Sequence, residues 1–432
     1  MRIAIVGAGI AGLGTGWLLG RQGIDVTLFE ASEQLGGHSH TVDVTLERQT
    51  HPVDTGFLVF NTRTYPRLCA LLDALGVQSV ASDMSFACRV DSAGIEWGGS
   101  NLAAVFAQRR NLVRPAFHRM LADILRFNRR TSALLAADAL PSGSLGDYLE
   151  RERYGPAFRD WYLLPLAGSI WSSPRRTMLE FPLSSFARFC HNHGLMQLVD
   201  RPQWRTVEGG ARTYVERIAA MLPDVRRATP VLRVRRHDHG VEVDTAAHPR
   251  ERFDGVVLAC HSDQALAVLG DDASPAERRA LGAIHYQPNR VVLHTDPALL
   301  PRRRSVWSSW NYLAADDAHG DRPVAVSYLI NKLQPLPFRT PVIVTLNPPV
   351  EPAREHVLGE FEYAHPLLDA AAIGAQATVA RLQGQRHTWF AGAWLGYGFH
   401  EDGLRAAHEA AAAIASAAAH RVEAHSPERI AA

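Results

Sequence analysis

A phosphate-binding turn needs few residue types, and this chain carries a complete one directly after its first apolar run. Arg2-Ile3-Ala4-Ile5-Val6 reads as a short buried strand, and Gly7-Ala8-Gly9-Ile10-Ala11-Gly12 follows at once. In a GxGxxG turn the first glycine permits a tight reversal and the second lets a pyrophosphate approach the backbone. The third lets the next helix lie close to the strand. Leu13 to Gln22 reads as that helix, whose free N–H groups and positive dipole end would face the phosphates. A second strand, Asp25 to Phe29, ends at Glu30 and Ala31. Glu30 stands 18 residues after Gly12, near the offset of about 20 at which an acid reaches a ribose hydroxyl.

The turn alone does not choose among dinucleotides; the residues after it do. Leu35-Gly36-Gly37-His38 brings a second glycine turn against the same ligand, and Val53-Asp54-Thr55-Gly56-Phe57 continues toward a further ring system. That extension suits FAD, which is longer than the adenosine half held by the first motif. His38 is expected to contact flavin or phosphate, with His40 close by. A covalent histidyl-flavin is the more distant reading.

These segments resemble the flavin-containing amine oxidase superfamily, which includes phytoene desaturases and protoporphyrinogen oxidases. Its later cofactor segments have counterparts here. Thr206-Val-Glu-Gly209-Gly210 with Tyr214 looks like the mid-chain glycine pair. Val231-Leu232-Arg-Val234, Val241-Glu-Val243 and Phe253 to Ala259 look like the hairpin and strand that close over adenine. Trp389-Phe-Ala-Gly392 and Gly396 to Gly403-Leu404 look like the C-terminal segment, with a helix expected from about Arg405. The resemblance implies that this helix start faces the flavin pyrimidine edge, where its dipole would stabilise negative charge. A closer similarity is to bacterial FAD-dependent oxidoreductases associated with cyclopropane-fatty-acid synthases, and to the N-terminal half of plant cyclopropane synthases. It is carried by Leu35–His38, Asp54–Phe57 with Phe60-Asn61, Ser169-Ile-Trp171-Ser, Asn192–Gly194, Arg201–Val207, His261–Gln264 and Gly396–Gly403. That similarity implies oxidation of a lipid, with a methyl-branched acyl chain as one expected form.

Two departures count against amine oxidation. Ala393 and Trp394 follow Gly392 where the superfamily often has an acid. Pro301-Arg302-Arg303-Arg304 stands where amine oxidases often place a lysine near flavin N5, and Lys332 is the sole lysine. The flavin supplies the redox chemistry, so a protein acid or base is not required. His400 and Glu401 are the candidates for one. Trp171, Trp204, Trp394, Tyr397 and Phe399 are candidate walls of an apolar substrate pocket. Cys190-His191-Asn-His193 lacks the second ligand pair that a zinc site needs, so no metal is expected. Two rivals stand beside the lipid reading. One is an amine or amino-acid oxidase that releases hydrogen peroxide. The other is a non-catalytic FAD-bound partner of a lipid methyltransferase.

The expected fold class is α/β: a Rossmann-like FAD-binding domain of amine-oxidase type, interleaved with an α+β substrate domain. Residues 1–65, 205–285 and 385–420 are assigned to the former and 66–204 and 286–384 to the latter, with 421–432 as a flexible tail. Residues 101 to 137 read as helices, and Arg233 to Asp244 as a hairpin. At 432 residues and 47% hydrophobic content the chain can bury substantial cores. Forty-five basic against 44 acidic residues leave no field that would favour nucleic acid. Cys69, Cys88, Cys190 and Cys260 lack CxxC spacing and suit reduced thiols in the cytoplasm. Ile3 to Gly20 is uncharged but broken by six glycines, so it reads as strand, turn and helix rather than a membrane span. Arginines from Arg109 to Arg130 make one helical stretch basic, which could dock peripherally on an anionic inner membrane.

Overall fold

In a computed structural model that describes residues 1–197, 201–314 and 323–424, the first apolar run is the centre of a parallel sheet. Strand β1 (Arg2–Val6) is flanked by β2 (Asp25–Phe29) and by two strands from far along the chain. β3 (Asp224–Arg226), β4 (Gly255–Leu258) and β5 (Thr388–Phe390) complete the spatial order β3-β2-β1-β4-β5, all parallel. Both faces of such a sheet are covered, which is why β1 reads as a continuous apolar run. Ile3 and Ile5 belong to one hydrophobic cluster with Leu13 and Ile414, while Ala4 and Val6 belong to another with Val256 and Val379. Helix α1 occupies Ile10–Gly20. It begins three residues before the expected Leu13 and ends two before Gln22, because extended Gly9 already serves as its N-cap.

The expected domain boundary at residue 65 falls inside one core. Helix α2 (Pro66–Leu75) buries Leu68, Leu71 and Leu72 in the same cluster as β1 and α1. Likewise helix Ala370–Leu382 packs beside the sheet, through Ala372, Val379 and Leu382.

The second sheet has seven strands. Val357–Leu367, His285–His294, Ile343–Leu346, Ala325–Leu329, Trp310–Ala314, Phe86–Val90 and Ile95–Gly98 lie side by side in that order. One neighbouring pair, Trp310–Ala314 with Phe86–Val90, is parallel and the others are antiparallel. Helix α3 (Pro115–Ala136) and a group of shorter helices cover it, and Phe117, Phe127, Phe158 and Trp171 share a cluster with Val291 and Val344. The expected hairpin is present as Val231–His237 paired with Gly240–Thr245.

Helix α4 (His400–Ala424) returns the chain to α1. It starts five residues before the expected Arg405. The Asp402 carboxylate accepts the Phe399 N–H at 3.1 Å and so satisfies a donor at the helix start. Residues 421–424 continue this helix rather than fraying, and 425–432 lie outside the described residues. Ile3 to Gly20 is strand, turn and helix, and no helix among the described residues is long and apolar enough to cross a membrane. The four cysteines are unpaired.

Candidate active site

Where strand order reverses in a parallel sheet, the carboxyl ends splay and leave a crevice. Here the reversal lies between β1 and β4, and a cavity of about 900 Å³ opens there. Gly7 follows β1, Glu30 follows β2, Ala259 follows β4 and Gly392 lies just beyond β5; all four line it.

The turn is built as the glycine spacing demands. Gly7 sits at φ +102°, and a side chain there would strike the Ala259 carbonyl. A methyl on Gly12 would collide with the Gly7 carbonyl oxygen, so only glycine lets α1 lie this close to β1. At Gly9 a methyl would meet no protein atom within 4 Å and would instead enter the cavity. Gly37 backs onto Gly9, its Cβ position 3.4 Å from the Gly9 Cα. Ala8 pins the arrangement: its N–H donates to Glu30 Oε2 at 2.8 Å, and its carbonyl accepts the Gly36 N–H at 2.8 Å. Bare backbone at one end, a carboxylate beside it and a long cavity fit a dinucleotide of FAD's length.

Further along, the polar wall is made of uncharged imidazoles. His38 lies 5.2 Å from the His365 ring and 6.2 Å from the His261 ring. Burial, reinforced by these neighbours, holds His38 well below the usual histidine range. Its Nε2 is buried without a partner. Burial also pushes His365 down to about 4 and His400 to about 3. The His400 ring stacks on Phe57 at 3.6 Å. Its Nε2 lies 2.8 Å from the Tyr214 hydroxyl and 3.0 Å from Ser39 Oγ, and the tyrosine hydroxyl donates to Ser39 at 2.7 Å. This ring is held neutral with its inward nitrogen engaged.

The far end is apolar and aromatic. Trp310 pairs across strands with Tyr328, and Tyr328 with Val344. Register therefore sets these three side by side on one sheet face. Val291 and Leu346 are another such pair, and all five line the cavity. Opposite them, Phe189 stacks with Phe399 at 4.8 Å and approaches Trp171 at 4.7 Å. His193 stacks on Phe189 at 4.0 Å, its Nδ1 3.0 Å from the Phe189 carbonyl. Tyr65, Phe189, His193, Tyr397 and Phe399 also line a second, outer cavity of about 520 Å³, so they form the wall that the two share. Among the described residues, Glu30 and Glu362 are the only acidic ones on the inner lining, and no lysine or arginine joins them.

The structure brings most of the expected residues to this one cavity. Gly7, Gly9, Ile10, Ala11, Glu30, Ala31, Gly36, Gly37 and His38 line it. So do Thr55, Gly56, Phe57, Val231, Ala259 and Gly392, and the aromatic set Trp171, Trp204, Trp394, Tyr397 and Phe399. Six positions stand elsewhere. Ala8 and Gly12 lie beneath the turn, acting through backbone and packing. Leu232 is an exposed residue next to lining Val231, as alternation along a strand requires. Gly403 lets α4 approach Ile10, and Leu404 is buried against Gly14, so both serve helix packing. Glu401 is not a base at this cavity. Its two oxygens accept the Arg67 and Leu68 N–H groups at the start of α2, each at 3.1 Å.

Residues not expected from the sequence include Tyr286, Trp310, Tyr328, Tyr363 and His365 on the mixed sheet. Lys332 is exposed on a short helix away from the cavity, and Arg303 is tied to Glu96 at 2.7 Å. Among the described residues no group of three His, Cys, Asp or Glu is placed to hold a metal ion.

Comparison with known proteins adds four findings. The family described as flavin containing amine oxidoreductase matches residues 10–338. The chain is 27% identical over 326 residues to the carotenoid phi-ring synthase of Streptomyces griseus, covering 70% of this chain and 59% of that relative. In fold it is similar to cyclohexylamine oxidase from Brevibacterium oxydans IH-35A, with a TM-score of 0.68, 19% identity, and 96% and 98% of the two chains covered. It is also similar to a CLA-producing fatty acid isomerase from P. acnes, with a TM-score of 0.64, 18% identity, and 94% and 97% covered.

Proposed function

The chain belongs to the flavin-containing amine oxidoreductase family, as its match over residues 10–338 shows, and from that premise we propose that it dehydrogenates a lipid-like acyl substrate. The enzyme is an FAD-dependent oxidoreductase. When bound, FAD supplies the acceptor for a hydride equivalent at flavin N5. The observation that carries the substrate reading is the inner cavity's far end: aromatic and aliphatic side chains from the seven-stranded sheet and from the helices opposite it, with no lysine or arginine on the lining among the described residues. Such a wall excludes water and gains by burying hydrocarbon, roughly 25 cal/mol for each Å² covered.

Dehydrogenation of an alkyl chain removes hydride from one carbon and a proton from its neighbour, leaving a C=C bond. Flavin chemistry as such requires no protein base, but in an apolar pocket the proton is best taken by a side chain. His193 is the imidazole we assign to it. With Nδ1 held by the Phe189 carbonyl, its Nε2 is the basic nitrogen, and burial pushes the ring down to about 4, so it stands neutral near pH 7. Its ring lines both cavities, so it stands between the apolar pocket and the outer cavity with its polar residues, to which the proton would pass. His400, with Nε2 engaged and its face covered by Phe57, positions the cofactor end instead.

The test is anaerobic reduction of the purified holoprotein, followed by loss of the oxidised flavin band. Acyl phospholipids or fatty acids should bleach the flavin, and unsaturated product should accumulate in step. Bleaching by an amine panel but not by acyl lipids would refute the reading. A flavin reduced by neither would refute it as well, in favour of a non-catalytic cofactor.

A further inference from the structure

Four large hydrophobic residues stand exposed within one short stretch. Leu102 is 77% exposed, Leu112 53%, Val113 83% and Leu125 54%, and they make up half of the eight such residues described in the chain. Single exposed leucines are ordinary; a group of them is a contact surface. Leu102 opens the short helix Leu102–Val105, Leu112 and Val113 end the 3₁₀ turn Arg109–Val113, and Leu125 lies on α3. The three pieces are tied together. Phe106 packs on Phe117 and His118, and His118 Nε2 lies 2.8 Å from the Leu112 carbonyl.

The same stretch is strongly basic. Residues 101–131 hold seven arginines and a single acid, Asp123, a local excess of six in a chain whose net charge is +1. Asp123 is paired with Arg126, and Glu152 from outside the stretch pairs with Arg130. Arg110 and Arg114 donate to the carbonyls of Gly94 and Ala93 and have no acidic partner among the described residues, and Arg114 also lies over the Trp161 ring. Arg109, Arg119 and Arg129 are exposed and have no acidic partner among the described residues. Arg119, Leu125 and Arg129 fall on the solvent face of α3, mixing apolar and cationic side chains on one side.

We propose that this surface, from Leu102 through Arg130, docks the protein on an anionic phospholipid bilayer. The apolar tips would enter the acyl boundary while the arginines meet lipid phosphates. An apolar partner protein would explain the leucines alone, and a polyanion would explain the arginines alone. A charged lipid interface matches both, with cations at headgroup level and hydrocarbon beneath. The inference does not depend on the substrate assigned to the cavity, since it rests on surface residues that do not line it.

Holoprotein is mixed with vesicles of phosphatidylcholine alone, or with about 30% phosphatidylglycerol added, and sedimented at low and high salt. It should pellet with the anionic vesicles, weakly with neutral ones, and less at high salt. Neutralising Arg109, Arg119 and Arg129 to Gln should weaken binding about a hundredfold, at roughly fivefold for each arginine. Leu112→Ser with Val113→Ser should weaken it even at low salt. These positions are exposed, so flavin content and melting temperature should stay at the parent values and certify the fold. Supernatant localisation with anionic vesicles would overturn the proposal, as would parent-like binding by both variants. Concentration-dependent dimerisation abolished by the leucine and valine changes, without lipid binding, would assign the surface to a second copy and overturn it too.

Discussion

Alanine at Gly9 and alanine at Gly12 are expected to fail in opposite ways, although both positions belong to one six-residue turn. Gly9 adopts φ −69° and ψ 179°, a backbone that alanine accepts, and its methyl would touch no protein atom within 4 Å. Apoprotein stability should therefore stay within about 1 kcal/mol of the parent. The methyl stands in the cavity where the diphosphate must approach the backbone. Losing one hydrogen bond to a charged group costs about 1.5–3 kcal/mol, so FAD affinity should fall roughly 10- to 100-fold. Gly12→Ala drives a methyl into the Gly7 carbonyl. That carbonyl cannot retreat freely, because the Gly7 N–H donates to Phe29 at 2.8 Å. Overpacking of this kind costs about 1–3 kcal/mol, and the rigid backbone partner places this case at the upper end. Circular-dichroism melting of both apoproteins, with FAD titration by calorimetry, separates the two effects. If Gly9→Ala melted as low as Gly12→Ala, or bound FAD like the parent, the division of labour within the turn would be refuted.

Other outcomes follow from the same geometry. Glu401→Gln removes the carboxylate that receives two α2 N–H groups and pairs with Arg67, so melting should fall by the equivalent of about 1–2 kcal/mol. Stopped-flow flavin reduction in that variant should stay within about twofold of the parent; a hundredfold loss would restore Glu401 as a catalytic base. His193→Phe keeps an aromatic ring in the wall between the cavities but no basic nitrogen, and it should lower kcat with acyl substrate about 10²-fold or more at unchanged flavin content. An unchanged kcat would remove His193 from the reaction. For pH, burial holds His193, His294 and His365 at about 4 and His400 at about 3, so unfolding lets four rings take up protons below about 6.5. Asp54 and Asp402, pushed up to about 6 by burial, release protons on unfolding and oppose this between about pH 4 and 6. The rings outnumber the carboxyls by about two, so stability should drop about 2–3 kcal/mol per unit as pH falls from about 6 to 5. Urea midpoints that stay flat or rise over that interval would contradict the burial of neutral imidazoles.

The cofactor end was legible because each of its requirements leaves a mark within a few residues. A strand buried on both faces, glycines at fixed offsets and an acid after the second strand are local facts, and β1, β2 and Glu30 lie where those facts place them. The start of α4 was not legible. Gly396 to Asp402 reads as a turn in one dimension, and only the folded chain shows Asp402 reaching back to Phe399. His400 and Glu401 looked equivalent as neighbours, yet a helix turns consecutive residues about 100° apart, sending one ring to the cavity and one carboxylate to α2. Nor could the apolar wall be read. Trp310, Tyr328 and Val344 are unremarkable apolar positions in three separate runs, and register alone makes them one surface.

The two ends of the cavity are built by elements under different constraints, and this bears on how far a family name can reach. At the cofactor end, Gly7 and Gly12 are packed against backbone, so a side chain at either would break the turn. At the far end, side chains project from a sheet face and from helices, where one apolar residue can replace another at modest cost. Substrate preference can therefore change while the turn stays fixed. That accounts for one fold holding a cyclohexylamine oxidase and a fatty acid isomerase at TM-scores of 0.68 and 0.64. It follows that the discriminating residues in this chain are those that the family turn does not dictate. A cationic residue introduced on the inner wall, such as Val344→Lys, should suppress acyl turnover while leaving FAD binding intact. If it removed FAD as well, the two ends would not be separable and the substrate reading would lose its footing.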